Sequence, residues 1–171
     1  MKYKQHKQYR LPYYNYASSG IYFVTICTKN REELLGSIQN HKTQLSKIGS
    51  IVNECLVNIP VKWRYIHLDE FVIMPNHIHG LLVIDNPGEG REIKEIKFYP
   101  QKKSLSFIVR NFKAIVTLLV RKDLPGADIW QSRFYDRIVR NEKELNNIRL
   151  YIQNNPIRWE TDRNNTENLL M

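Results

Sequence analysis

Two histidines separated by one residue, His77 and His79, close the run Met74-Pro-Asn-His-Ile-His79. In an extended chain, residues two apart project to the same side, so the two imidazoles stand side by side. Two imidazoles at that spacing can share one divalent ion. The same spacing also suits satisfied or surface histidines, and H-x-H alone does not decide between these. A second pair lies near the C-terminus. Tyr151 and Asn155 are four residues apart and stack on one face of any helix that carries them. The apolar stripe of that segment is Leu145, Ile148 and Ile152. Tyr151 and Asn155 flank the stripe, which places them at the boundary between core and solvent. A tyrosine there either packs with its hydroxyl in water or faces a cleft.

Together the two pairs describe a phosphoryl-transfer chemistry. A phosphodiester is a charged, unreactive electrophile. A divalent cation held by two histidines and a side-chain carbonyl can bind it and neutralise its developing charge. A tyrosine hydroxyl is a weak nucleophile at its free pKa of about 10, and it becomes competent when held in line with such a phosphate. The resulting phosphotyrosine conserves the bond energy, so a strand can be rejoined without ATP. The chain contains no GxxxxGK[ST] phosphate loop, in keeping with that economy.

The charge balance points to the same class of partner. The chain of 171 residues carries a formal net charge of +9 and a pI near 9.6, which favours a polyanion. Residues 1–10 contain Lys2, Lys4, Lys7 and Arg10 with no acid, and residues 91–122 contain nine Lys/Arg against Glu92 and Glu95. No stretch approaches the roughly 18 apolar residues of a membrane span, and the basic start has no apolar run behind it. Cys27 and Cys55 have no CxxC partner and read as buried, reduced thiols. A cytoplasmic, nucleoid-associated protein with no membrane partner is the expectation.

The elements that must position these groups follow from periodicity. Gly20–Thr28 is β-branched and aromatic and reads as a buried strand. Ile48, Ile51, Val52, Cys55, Leu56 and Ile59 fall on one helical face, with Ser46 as cap and Pro60 as stop. Strands over 65–74 and 77–84 form a hairpin around Pro75-Asn76, whose turn type is left open. After a polar loop, a second helix over about 104–122 has Leu105, Ile108, Val109, Phe112, Ile115, Val116 and Leu119 on one side. Its other side aligns Lys103, Arg110, Lys113 and Arg121. That row is either a solvated face or a track for DNA phosphates, and Lys4, Lys7 and Arg10 are the other candidates for phosphate contact. A strand near 129–139 and a last helix over 142–155 complete the chain. The pattern is α+β: a ferredoxin-like antiparallel sheet with helices packed on one face and an added C-terminal helix bearing the nucleophile. It fits one domain of 171 residues with a basic arm over 1–19 and a polar tail over 160–171.

The run Phe71-Val-Ile-Met-Pro-Asn-His-Ile-His79-Gly-Leu-Leu resembles the HUH motif of the single-tyrosine transposases of bacterial insertion sequences, and the REP-associated tyrosine transposases most. Tyr22-Phe-Val-Thr-Ile-Cys-Thr28, Ile129-Trp-Gln131, Phe134-Tyr-Asp136 and Tyr151-Ile-Gln-Asn-Asn-Pro156 extend the resemblance from about Gly20 to Trp159. It implies that His77 and His79 are metal ligands, Tyr151 the nucleophile and Asn155 the third ligand. The implied ion is Mg²⁺ or Mn²⁺, with imidazole favouring manganese. The implied substrate is single-stranded DNA with a foldback hairpin at a palindromic repeat, cleaved to a 5′-phosphotyrosine and a free 3′-hydroxyl by a monomer or a homodimer. Two other readings stand beside this one: a non-catalytic hairpin-binding descendant, and a metal hydrolase that adds His67 to the histidine pair and uses water as nucleophile.

Overall fold

Burial along the first strand alternates. In β1 (Gly20–Cys27) Tyr22, Val24 and Ile26 are buried, while Ile21, Phe23 and Thr25 are half-buried. One side of the strand therefore faces a core and the other a partly open surface. The structure, a computed structural model, describes residues 14–86 and 103–159. Within them the main sheet has four strands, all paired antiparallel, in the order β4 (Ile66–Met74), β5 (His77–Ile84), β1 and β6 (Tyr135–Val139). With α1 (Lys47–Val57) between β1 and β4, and α3 (Leu105–Val120) between β5 and β6, this is the expected ferredoxin-like architecture.

The core lies between the sheet and these two helices. Tyr22, Val24, Ile26, Ile73, Ile78, Leu82 and Ile84 from the strands meet Val52 and Leu56 of α1 and Ile108, Val109, Phe112 and Val116 of α3. Each such side chain removed from water contributes about 1.5–3 kcal/mol. Ser104 caps α3, its hydroxyl accepting from the Phe107 amide at 3.3 Å. The remaining helix, α4 (Glu142–Asn154), lies over β4 and β5 on the opposite side of the sheet, where its Tyr151 meets His79. Asn141 caps it through the Glu144 amide, and Asn155 is its C-cap. β5 is consequently covered on both faces.

Three local expectations change. The first helix stops at Val57, and Pro60 sits in the first turn of a separate short helix, α2 (Ile59–Lys62), rather than in open chain. The strand expected over 129–139 shortens to β6, because Trp130 makes only an isolated bridge to Thr28 before the chain turns. A second hairpin, β2 (Gly36–Gln39) with β3 (Lys42–Leu45), has no counterpart in the periodicity reading. Its turn residues Asn40 and His41 both have positive φ, 49° and 59°, the geometry of the type I′ hairpin turn.

Ser46 ties α1 to the preceding chain. Its hydroxyl donates to the Leu34 carbonyl at 2.6 Å and accepts from the Gly49 amide at 3.0 Å. This seating brings Gly49 so close that a Cβ would lie 1.9 Å from the Leu35 carbonyl oxygen. Alanine is the better helix former by about 1 kcal/mol, yet here the clash wins. Gly49→Ala should destabilise the protein by about 1–3 kcal/mol, lowering Tm by roughly 2–12 °C for a domain of this size. Thermal denaturation measures it, and an unchanged or raised Tm would contradict the packing.

Candidate functional site

The site is assembled at the turn between β4 and β5. Pro75 and Asn76 form the two-residue connection, and neither has the positive φ of the primed turns. The segment between β1 and β2 holds it instead. The Thr28 amide donates to the Asn76 carbonyl at 2.9 Å, the Thr28 hydroxyl shares its proton between the Glu32 and Asn76 carbonyls at 2.7 and 3.0 Å, and the Leu35 amide donates to the Pro75 carbonyl at 2.9 Å. The Asn76 side chain donates through Nδ2 to the Arg31 carbonyl at 3.1 Å. That bond fixes the amide orientation, so Asn76 Oδ1 is the atom 2.8 Å from His77 Nδ1. An amide oxygen can only accept. His77 therefore carries its proton on Nδ1, which leaves Nε2 as the unprotonated, accepting nitrogen.

His79 is oriented from the neighbouring strand. Thr25, directly opposite it in the β1–β5 register, places Oγ1 2.8 Å from His79 Nδ1. A hydroxyl can donate or accept, so Thr25 serves either tautomer. The Nε2 atoms of His77 and His79 converge to 3.1 Å. Two ligand bonds of about 2.1 Å meeting near a right angle span about 3 Å, so the pair fits a shared cation. His77 and His79 are 0% and 3% exposed. Their rings are flanked by Trp159, Tyr151 and Phe23, with centroids 6.0, 5.2 and 5.3 Å away.

Tyr151 arrives from α4 of the same chain. Its hydroxyl is 3.2 Å from His79 Nε2, and 37% of the residue is exposed. Asn155, one helical turn on, is 2% exposed, and its Oδ1 is buried without a hydrogen-bond partner. A buried carbonyl oxygen left unpaired costs about 1–3 kcal/mol, a cost that coordination to a cation would remove. Among the described residues no three of His, Cys, Asp and Glu gather as a metal set. Two imidazoles and an amide oxygen form the donor set that fits, and it suits a borderline divalent ion better than an all-oxygen binder.

What seats α4 was not legible in the sequence. The β4–β5 register shifts between Leu68 and Phe71, a bulge that turns Asp69 and Glu70 towards the helix. Arg149 grips Asp69 with two bonds, Nη2 to Oδ2 at 2.5 Å and Nε to Oδ1 at 2.9 Å. Gln153 donates to Glu70 at 3.0 Å. Arg149 and Gln153 bracket Tyr151 along the helix, so this clamp sets where the hydroxyl points. The hydrogen bond from Arg149 holds the Asp69 carboxyl below its ordinary value near 3.8. A depressed carboxyl contributes stability that is present above the unfolded pKa and fades as pH falls through the folded one. Asp69→Asn should therefore melt below the parent at pH 5–7, and the gap should close as pH falls below about 4. Melting curves from pH 7 to 3 check this, and a gap that has not begun to narrow by pH 3 refutes it.

The basic residues of the second helix go elsewhere. Lys113 donates to the carbonyls of Gln131 and Arg133 at 2.6 and 3.0 Å, and burial pushes its ammonium down to about 8. Arg121 donates to the Ala127 carbonyl at 2.9 Å. Lys103 lies over the Tyr65 ring at 5.4 Å, and Arg110 is 5.9 Å from the Phe107 ring. All four belong to α3 or its approach, on the side of the sheet away from the histidines. Lys4, Lys7 and Arg10 lie outside the described residues. His67, opposite Val83 in β5, is four residues further along that strand than His79, roughly 13 Å away. The structure thus does not bring it to the pair.

No protein-family model matches the chain. An uncharacterized protein of Haemophilus influenzae is 45% identical over 161 residues, spanning 90% of this chain and 89% of that one. Among solved structures, a REP-associated tyrosine transposase bound to a REP hairpin superposes with a TM-score of 0.58 at 20% identity, covering 88% of this chain and 72% of that one. No helix among the described residues is long and apolar enough to cross a membrane. The chain belongs to one family with the Haemophilus influenzae protein, and it has the fold of the REP-associated tyrosine transposase.

Proposed function

We propose that the protein is a metal-dependent transposase or endonuclease that cleaves and rejoins single-stranded DNA at hairpin-bearing palindromic sites through a 5′-phosphotyrosine intermediate. One observation carries this reading: a tyrosine hydroxyl stands 3.2 Å from one of two convergent, buried imidazole nitrogens of its own chain. His77, His79 and Asn155 would hold a divalent ion, Mn²⁺ or Mg²⁺, which supplies charge neutralisation at the scissile phosphate. The chain's own residues do the rest. Asn76 and Thr25 hold the imidazoles in register, and the Asp69–Arg149 clamp holds the helix that presents Tyr151. The Tyr151 oxygen attacks phosphorus and the bond to the 3′-oxygen breaks. The phenol gives up a proton and the leaving oxygen takes one up, so one phosphodiester replaces another and the step reverses on rejoining.

That REP-associated transposase was solved on a hairpin, and the charge of +9 on this chain supports an equivalent partner here. The test incubates the protein with hairpin-bearing single-stranded DNA and Mn²⁺, then resolves products on a denaturing gel. A covalent protein–DNA band is the expected result. Binding without any covalent product would favour a hairpin-binding protein, and cleavage without an adduct would favour hydrolysis by water.

A further inference from the structure

The face of the sheet that carries the histidines continues past them. In the β1–β6 register Thr25 is opposite Tyr135, and Phe23 is opposite Arg137. Directly opposed residues share a face, so Tyr135 and Arg137 stand on the same side as Phe23, Thr25, His77 and His79. The helix α4 packs chiefly on β4 and β5 and reaches the neighbouring strands only at its edges, through Tyr151 against Phe23 and Glu144 against Arg137. Burial records the boundary: every residue of β5 but Val83 is buried, Phe23 and Thr25 are half-buried, and Tyr135 is 42% exposed. Arg137 pairs through Nε with Glu144 at the start of α4, at 2.6 Å, while 70% of its side chain remains in solvent. Arg133 and Arg140, both exposed, flank the strand.

We propose that this open strip, Phe23 and Tyr135 with Arg137, is the platform on which the unpaired DNA next to the scissile phosphate lies, with a base stacked on Tyr135 and a backbone phosphate on Arg137. The inference rests on the single-stranded DNA reading above and says where that strand runs. Three features select this occupant. Phe23 stacks on His79 and meets Tyr151 edge-on, with centroids 5.3 and 6.1 Å away, so the platform begins at the reacting groups. An aromatic ring and a guanidinium on adjacent positions of one face are the elements that bind single strands without a base code. A paired duplex hides its base faces, so an exposed ring on a sheet discriminates for unpaired nucleotides.

The test compares two fluorescent DNA probes by anisotropy, a blunt hairpin and the same hairpin with a short unpaired extension. The protein carries Tyr151→Phe so that no adduct forms. Tyr135→Ala should weaken binding of the extended probe about tenfold, within the range for losing one base–aromatic stack, and leave the blunt hairpin unchanged. Tyr135→Phe, which keeps the ring, should restore affinity. Arg137→Ala should lower the salt dependence of extended-probe binding by about 0.7 of a unit of slope, the value for one phosphate contact on a single strand. Equal loss on both probes, or no loss on the extended one, overturns the platform. Adduct formation by the parent protein with Tyr151 intact is scored separately on the extended probe. A tail-specific loss in a protein that forms no adduct keeps the platform and removes the catalytic reading. An adduct-forming protein indifferent to Tyr135→Ala does the reverse.

Discussion

Tyr151→Phe is expected to abolish the covalent protein–DNA product and to slow strand cleavage by roughly 10³–10⁶-fold, the range for deleting a nucleophile. The substitution removes one oxygen from a residue that is already 37% exposed. Its hydroxyl meets His79 Nε2 at 3.2 Å, and loss of such a bond should change stability by no more than about 1 kcal/mol. Hairpin binding should persist, because it rests on charge and on surfaces that the hydroxyl does not touch. The combination is diagnostic: adduct lost, binding kept, fold kept. A denaturing gel, an anisotropy titration and a melting curve measure the three. Ten tyrosines are present in the chain, so cleavage that survives in Tyr151→Phe would mean another tyrosine, or water, is the nucleophile.

The parts of this site that follow a chain period were readable in advance, and those that depend on neighbours in space were not. A spacing of two was enough to put His77 and His79 on one side of a strand, and a spacing of four put Tyr151 and Asn155 on one side of a helix. The core face of α3 followed from its apolar repeat. Thr25, by contrast, orients His79 only through the register of β1 with β5, which no local pattern states. Asp69 and Glu70 look like ordinary surface charge until the bulge in β4 turns them onto α4. Asn76 lay inside the recognised motif, but its effect on the His77 proton depends on a carbonyl 45 residues away. The β2–β3 hairpin went unread because its strands are largely polar and its turn, Asn40-His41, lacks the glycine that usually marks a type I′ turn. Lys113 falls in the basic row that periodicity reads as either a solvated face or a track for DNA phosphates, since periodicity cannot tell that a lysine bends back to cap two carbonyls.

The metal assignment predicts a separate result that needs no DNA. Mn²⁺ at about 100 times its Kd should stabilise the parent protein by about 2.7 kcal/mol, seen as a rise in Tm that a chelator reverses. His77→Ala should abolish that rise and with it cleavage, because a single imidazole cannot replace two convergent ones. Asn155 separates the histidine pair from the complete ligand set. Asn155→Ala removes a buried oxygen that has no hydrogen bond to lose, so without metal the variant should be no less stable than the parent, apart from a small cavity. With Mn²⁺ it should lose part of the Tm rise. Asn155→Asp keeps an oxygen in place and adds a charge that only a cation would welcome at 2% exposure. It should be destabilised in chelator, where a carboxylate is buried unpaired, and rescued by Mn²⁺ to a larger rise than the parent shows. A merely structural asparagine would make both variants fall equally with and without the ion. If Asn155→Ala keeps the full Mn²⁺ rise while His77→Ala loses it, the two histidines hold the ion without the amide, and Asn155 is a packed helix cap.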